Sequence, residues 1–215
     1  LIFVIFNLFD TNKIQTIYAI IINYITACLV GVLFYEKPVK LYELYENDWF
    51  YGTASLGFLF ILIFNLMAKT AQRLGVSVAS VATKMSFVIP VSLGLLLYGE
   101  KLSLLKSAGI VLALAAVYFA SVKNTPRAIR RKSLLLPIMV FLGSGIIDAS
   151  LKYMEENHVT SNEFPLFSAT VFGAAALAGI LFILLRSFDK PLKLNFKNVL
   201  GGIALGIPNF FSIFF

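Results

Sequence analysis

The chain has 215 residues, 59% of them hydrophobic and 13% charged, with a mean hydropathy of +0.87 and a formal net charge of +7. Soluble domains are about 45–50% apolar and about 25% charged, so the composition excludes a single water-soluble core and points to membrane spans of about 20 apolar residues each. One cysteine, Cys28, excludes an internal disulfide and any cysteine-based metal cluster. No cofactor or metal is expected, and the positive charge is a topology signal read loop by loop, not a nucleic-acid patch.

Apolar runs occupy residues 1–9, 14–35, 49–71, 76–98, 102–122, 133–154, 164–186 and 198–215. The first, LIFVIFNLF, has no basic start and no cleavage-like end, so it does not read as a signal peptide. The later runs, such as LFILIFNLM and GIVLALAAVYFA, are continuously apolar. Only helices and closed barrels satisfy the backbone in lipid, and the strict alternation of barrel strands is missing. The chain therefore reads as all-α and polytopic. The linkers are short and polar, and Tyr35, Tyr42, Tyr45, Trp49 and Tyr51 gather at span ends, where amphipathic rings settle in a bilayer.

The second half echoes the first. Glu36-Lys37-Pro38 and Lys40-Leu41 in EKPVKL match Asp189-Lys190-Pro191 and Lys193-Leu194 in DKPLKL, 153 positions on. Upstream, FNLFDTNKI (Phe6–Ile14) resembles LKYMEENHV (Leu151–Val159). Downstream, Gly52 and Leu56-Gly57 match Gly201 and Leu205-Gly206 at an offset of 149. Five spans separate the copies of the first motif. An odd number puts them on opposite membrane faces, the plan of an inverted-topology repeat. Residues 1–122 form the first repeat, its first helix incomplete. Residues 123–132 form a basic linker, and 133–215 a second repeat truncated in its third helix. On this reading eight of about ten transmembrane helices are present, in inverted five-helix repeats.

Residues 89–121, IPVSLGLLLYGEKLSLLKSAGIVLALAAVYFAS, resemble the end of the first repeat of EamA-type permeases, of the drug/metabolite transporter superfamily. Pro90, the Gly99-Glu100 turn, Leu102 and Gly109 carry the resemblance. It implies a secondary transporter of a small metabolite or toxic solute, often an exporter, with a central cavity between the repeats. Such a protein would be integral to a bacterial inner (plasma) membrane. Its partners are the lipid bilayer, a small-molecule substrate and a coupling proton or ion; no oligomeric state follows. An exchanger of phosphorylated sugars or nucleotide-sugars would want several basic residues in that cavity, and only Lys84 is a clear candidate. An intramembrane enzyme would need a catalytic His, Cys or carboxylate pair within the spans, and none is convincing, so the chain does not read as an enzyme.

Charged and polar side chains inside the spans are the candidate substrate path. Lys84 lies eight residues into the fourth span, about 12 Å deep at 1.5 Å per residue. A cation there costs about 2.5 kcal/mol or more unless it is paired or wet. Pro90 follows six residues later and can kink the helix. Asp148 and Lys152 stand four apart in the sixth span and share a face. They form either an ion pair near the span end or, for Asp148, a group that titrates or binds a cation in the cavity. Asn65, Ser86 and Asn209 complete the set, with Asn209 favoured because Pro208 beside it frees a backbone carbonyl. Asn23, Ser80, Thr83 and Ser144 read first as polar glue between helices, and Gly202-x-x-x-Gly206 and GAAALAG (173–179) as packing seams. Lone His158 sits in a polar loop.

One set of loops carries Lys13, Lys69, Arg73, the five basic residues of KNTPRAIRRK, Arg186, Lys190, Lys193 and Lys197, the other only Lys37, Lys40, Lys101 and Lys106. The positive-inside rule makes the first set cytoplasmic. It puts the N-terminus outside, whereas relatives of the resembled family are thought to have both termini inside. A cysteine replacing Thr125 in a Cys28→Ala background should resist an impermeant maleimide added to intact cells; efficient labelling from outside would reverse the orientation.

Overall fold

Each apolar run forms helix over most of its described residues. The computed structural model describes residues 1–38, 44–97, 103–123, 130–160, 162–187 and 195–214. The helices are α1 (Ile2–Thr11), α2 (Thr16–Leu33), α3 (Phe50–Leu74), α4 (Val76–Met85), α5 (Val88–Leu97), α6 (Leu104–Lys123), α7 (Arg130–Asn157), α8 (Phe164–Ser187) and α9 (Phe196–Phe214). No strand occurs among the described residues. Five stretches are long and apolar enough to cross a bilayer: Thr16–Leu33, Phe50–Leu74, Val76–Gly94, Leu135–Asn157 and Phe164–Leu185. Ile2–Thr11 and Leu104–Phe119 are shorter apolar helices. The chain is thus an all-α integral membrane protein. The Gly99-Glu100 turn, Leu102, Tyr42, residues 124–129 of the basic linker and both KL ends of the quoted motifs lie outside the described residues.

Two compact units divide the chain, Leu1–Asn65 with Tyr153–Phe215, and Leu66–Lys152. Each draws helices from both halves of the sequence, because the boundaries fall within α3 and α7. In the first unit α2 packs along both α8 and α9, and α1 lies on α9. Outward-facing side chains such as Phe58, Leu62, Leu177 and Leu181 are exposed, as lipid contact requires.

The helix ends of the two matched stretches close alike. In α1 the Asn12 side chain donates to the Leu8 carbonyl at 2.9 Å, and the Ile14 N–H reaches back to the Phe9 carbonyl at 2.8 Å. In α7 the Asn157 side chain donates to the Tyr153 carbonyl at 2.8 Å, and the Val159 N–H to the Met154 carbonyl at 3.0 Å. Both closures add donors to carbonyls of the last helical turn. The loop after α1 reaches left-handed backbone at Lys13 (φ 55°). Downstream, the Gln15 N–H donates to Asn198 Oδ1 at 2.9 Å, so α9 caps the start of α2. The second loop uses Thr160 and Glu163 instead, with the Thr160 hydroxyl donating to Glu163 Oε2 at 2.9 Å.

Glycine sets how close the helices come. A Cβ added at Gly57 of α3 would stand 2.6 Å from both Ala174 Cβ and the Ala175 nitrogen on α8; one at Gly206 of α9 would stand 2.6 Å from Thr26 Cβ and 2.7 Å from the Asn23 carbonyl on α2. Gly31 of α2 meets Ala169 of α8 and Phe210 of α9, and Gly179 of α8 meets Ile21 of α2 and Ile61 of α3. Gly52 of α3 meets Met154 of α7, and Gly201 of α9 meets Phe9 of α1. The Gly31–Ala169 and Ile21–Gly179 contacts make α2 and α8 antiparallel. At their crossing Tyr24 stacks on Phe172, ring centroids 6.0 Å apart. Gly202 also faces α2, at Ile22 and Ala19, and Gly173 faces Cys28, so both small-residue seams pack helices as expected.

Trp49 departs from the interfacial reading. It is 1% exposed and stands edge-on to Phe167, 5.7 Å between centroids, whereas Tyr45 and Tyr51 are exposed. The indole fills the space between the start of α3 and α8, where a large flat ring is worth more in packing than at the lipid surface.

Gly57→Ala and Gly206→Ala should each destabilise the detergent-solubilised protein by about 1–3 kcal/mol, since backbone would have to move. Gly94→Ala and Gly109→Ala meet nothing within 4 Å, and should be neutral or stabilising by up to about 1 kcal/mol. Thermal unfolding of the four variants checks the ordering.

Candidate functional site

The fourth apolar run is interrupted, and its own sequence explains where. Pro90 has no N–H to offer the Ser86 carbonyl one turn back. That carbonyl instead accepts from the Ile89 N–H at 2.9 Å, tightening the chain into a turn. Helix α4 ends at Met85, with Ser86 as its cap, and α5 starts at Val88. Pro90 then sits in the first turn of α5, where a missing N–H costs nothing. The break thus falls at Ser86-Phe87, a turn earlier than the kink expected at Pro90 itself.

Helix α7 crosses this break. A Cβ at Gly145 would run into the Ile89 side chain, so only glycine lets α7 come this near. One turn along α7, Asp148 meets Ser86: the Ser86 hydroxyl lies 2.5 Å from the Thr83 carbonyl and 3.4 Å from Asp148 Oδ2. Ser86 is fully buried and Asp148 half-buried. Lys84 is exposed and interacts electrostatically with the Asp148 carboxylate. Three of the six residues picked from the sequence, Lys84, Ser86 and Asp148, are therefore neighbours at one helix break. Lys152 stands a turn beyond Asp148 and is exposed.

Two further hydroxyls belong here. Thr83 Oγ1 and Ser144 Oγ are buried and have no hydrogen-bond partner within the protein. Ser144 is four residues before Asp148, hence on its face of α7. That spacing was the signal that could have promoted it from helix glue. Chemically the group is one carboxylate, one ammonium and three hydroxyls around an interrupted helix. The Ser86 hydroxyl has a single proton and two acceptors in reach, Thr83 O and Asp148 Oδ2. Protonating Asp148 removes that competition, because the carboxylic acid can then donate to Ser86 while Ser86 donates to Thr83. Both hydrogen bonds can thus be made at once when Asp148 is protonated, whereas the ionised carboxylate and the Thr83 carbonyl share the one Ser86 proton.

Asn65 and Asn209 belong to the other unit. The Asn65 side chain donates to the Ile61 carbonyl of its own helix at 2.7 Å. Asn209 is 1% exposed, and its Nδ2 has no partner. Asn23 is fully buried with Oδ1 unpartnered. Pro208 lies inside α9, which continues through it. His158 is exposed beside the Tyr153 ring. Among the described residues no group of three or more His, Cys, Asp or Glu could hold a metal.

If the helix break opens to water, Lys84→Cys in a Cys28→Ala background should react with an impermeant cationic thiosulfonate. Phe58→Cys and Leu142→Cys, whose parent side chains are exposed and apolar, should not. A Lys84→Cys protein as inert as those two would put this position against hydrocarbon.

No family model matches the sequence, and no solved structure matches it. A protein of Haemophilus influenzae, described as uncharacterized, is 32% identical over 206 residues, spanning 92% of this chain and 67% of the relative. The likeness spans most of this chain and leaves a third of the relative outside it. On that identity and coverage, the chain belongs to the same protein family as this Haemophilus influenzae protein.

Proposed function

We propose that the chain is the greater part of a secondary transporter of the EamA type, built from two inverted five-helix repeats and moving a small metabolite or toxic solute outward across a bacterial inner membrane. The observation that carries the reading is an exchange of contacts in the first unit. Gly31 and Gly179 are 148 positions apart, and so are Ile21 and Ala169, the residues they meet on each other's helix. Gly57 and Gly206 are 149 apart; their partners Ala174 and Thr26 again differ by 148. Ile61 and Phe210, met by Gly179 and Gly31, differ by 149. Met154 and Phe9, met by Gly52 and Gly201, differ by 145, as do the two helix caps.

Swapping the copies therefore maps every one of these contacts onto another. That is the behaviour of a pseudo-two-fold axis, and since α2 and α8 run antiparallel the axis lies across them. An axis in the membrane plane is the signature of inverted-topology transporters, which bind cargo near the midplane on interrupted helices. The helix break with Lys84, Ser86 and Asp148 has those parts.

A metabolite-release screen of cells overexpressing the full-length protein tests the reading. Lys84→Met should cut release roughly ten- to a hundredfold, the worth of one charged hydrogen bond, with membrane abundance unchanged. Asp148→Asn should flatten the pH dependence of release if the carboxyl carries the coupling proton. Full release from both variants, each at wild-type abundance, would remove the helix break from the transport path.

A further inference from the structure

Tyr24 and Phe60 on one side, and Phe172 and Asn209 on the other, occupy equivalent places in the two copies: 24 and 172 differ by 148, 60 and 209 by 149, the offsets of the exchanged glycine contacts. In the first copy the tyrosine hydroxyl is buried and donates to the Phe60 carbonyl at 2.8 Å. The second copy breaks this pattern twice. The ring at 172 has no hydroxyl, and the residue at the place of Phe60 is an asparagine. Its Nδ2 is a buried donor without a partner, on a side chain 1% exposed. An unmet buried donor is disfavoured by about 1–3 kcal/mol, and Asn could be Phe or Leu here, as Phe60 shows. Phe210, the next residue along, packs against Phe172 and Phe34, so the neighbouring position is a sealed aromatic contact and not an open surface.

We propose that Asn209 is a binding residue, its amide N–H donating to an acceptor oxygen (carboxylate, carbonyl or hydroxyl) of the transported solute. This rests on the transport reading above. In the second copy the Asn209 carbonyl accepts from the Ser212 hydroxyl at 2.8 Å instead, and the side-chain N–H is an additional donor that the first copy, with Phe60, does not have.

The test uses the full-length protein, and the solute that the wild type releases from cells, identified in the medium by mass spectrometry. Asn209→Leu should lower release of that solute about tenfold or more, while the purified protein melts at or above the wild-type temperature, because an unmet donor has been removed. Tyr24→Phe should do the reverse, lowering the melting temperature and leaving release by the remaining folded protein unchanged. Wild-type release from Asn209→Leu, with or without a rise in melting temperature, would leave Asn209 holding at most a structural water and overturns the proposal. So does a loss of release that only tracks a fall in melting temperature. A wild type that releases nothing beyond the vector control sinks the transport reading and this assignment together; failure confined to the variants sinks this assignment alone.

Discussion

Lipid tails are as apolar as leucine, so a helix in a bilayer gains nothing by turning its leucines towards a neighbour. What holds helices together is how near their backbones can come. In the first unit that nearness is delivered at Gly57 against Ala174-Ala175, Gly206 against Thr26 and the Asn23 carbonyl, Gly202 against Ile22 and the Ala19 carbonyl, and Gly31 against Ala169. At each of these a single added carbon would meet backbone or Cβ, which cannot rotate away. The aromatic core then fills what the close seams leave: Tyr24, Phe60, Phe64 and Phe172 lie within 5.4–6.4 Å of one another by centroid in the contacts that join them. The rings do not set the helix positions; they are sized to them.

The second unit uses the same device to a different end. Gly145 brings α7 onto the break between α4 and α5, and so brings Asp148 to Ser86. A carboxylate in hydrocarbon is costly by any scale, and here three things offset the cost: a serine hydroxyl, the Lys84 charge, and the backbone of an interrupted helix. The last of the three follows from Pro90. The proline withholds one N–H, the Ser86 carbonyl finds Ile89, the helix stops, and the side chain of Ser86 is left between a carbonyl and a carboxylate. A polar site thus follows from one missing donor.

The helices were legible because their signal is composition, which lipid enforces residue by residue. The cap at Asn157 was legible through its likeness to Asn12, although nothing in the sequence said that both side chains reach back four residues. The break at Ser86-Phe87 was read one turn late, since a proline's effect is felt at the carbonyl it fails to pair, not at its own position. Trp49 was misplaced at the lipid surface because an aromatic at a span end fits both a belt and a buried corner, and only the presence of Phe167 decides. Of the site, Lys84 and Asp148 stood out as mid-span charges. Thr83 and Ser144 did not, because a serine in a membrane helix usually bonds its own backbone, as Thr70 and Thr170 do here.

The proposed repeat also explains where the two copies are free to differ in length. The offset between them is 145 across α1 and α7, 148 across α2 and α8, 153 at the EKP and DKP motifs, and 149 across α3 and α9. Every change of offset falls outside the stretches in which glycines meet their partners. Three residues enter between α7 and α8, five more by the DKP motif after the last α8 seam, and four are lost before α9. An insertion inside a seam would turn the helix by about 100° per residue and carry each glycine off its neighbour, so such changes are excluded by packing, while a loop or a helix end absorbs them. Substitutions obey a parallel rule. The residues that meet across the seams stay small or apolar in both copies, and the departures gather on side chains that can carry chemistry, Tyr24 against Phe172 and Phe60 against Asn209. In a scaffold of the proposed kind, two equal half-sites facing opposite sides of a membrane would not by themselves prefer a direction, so any preference would have to come from such departures.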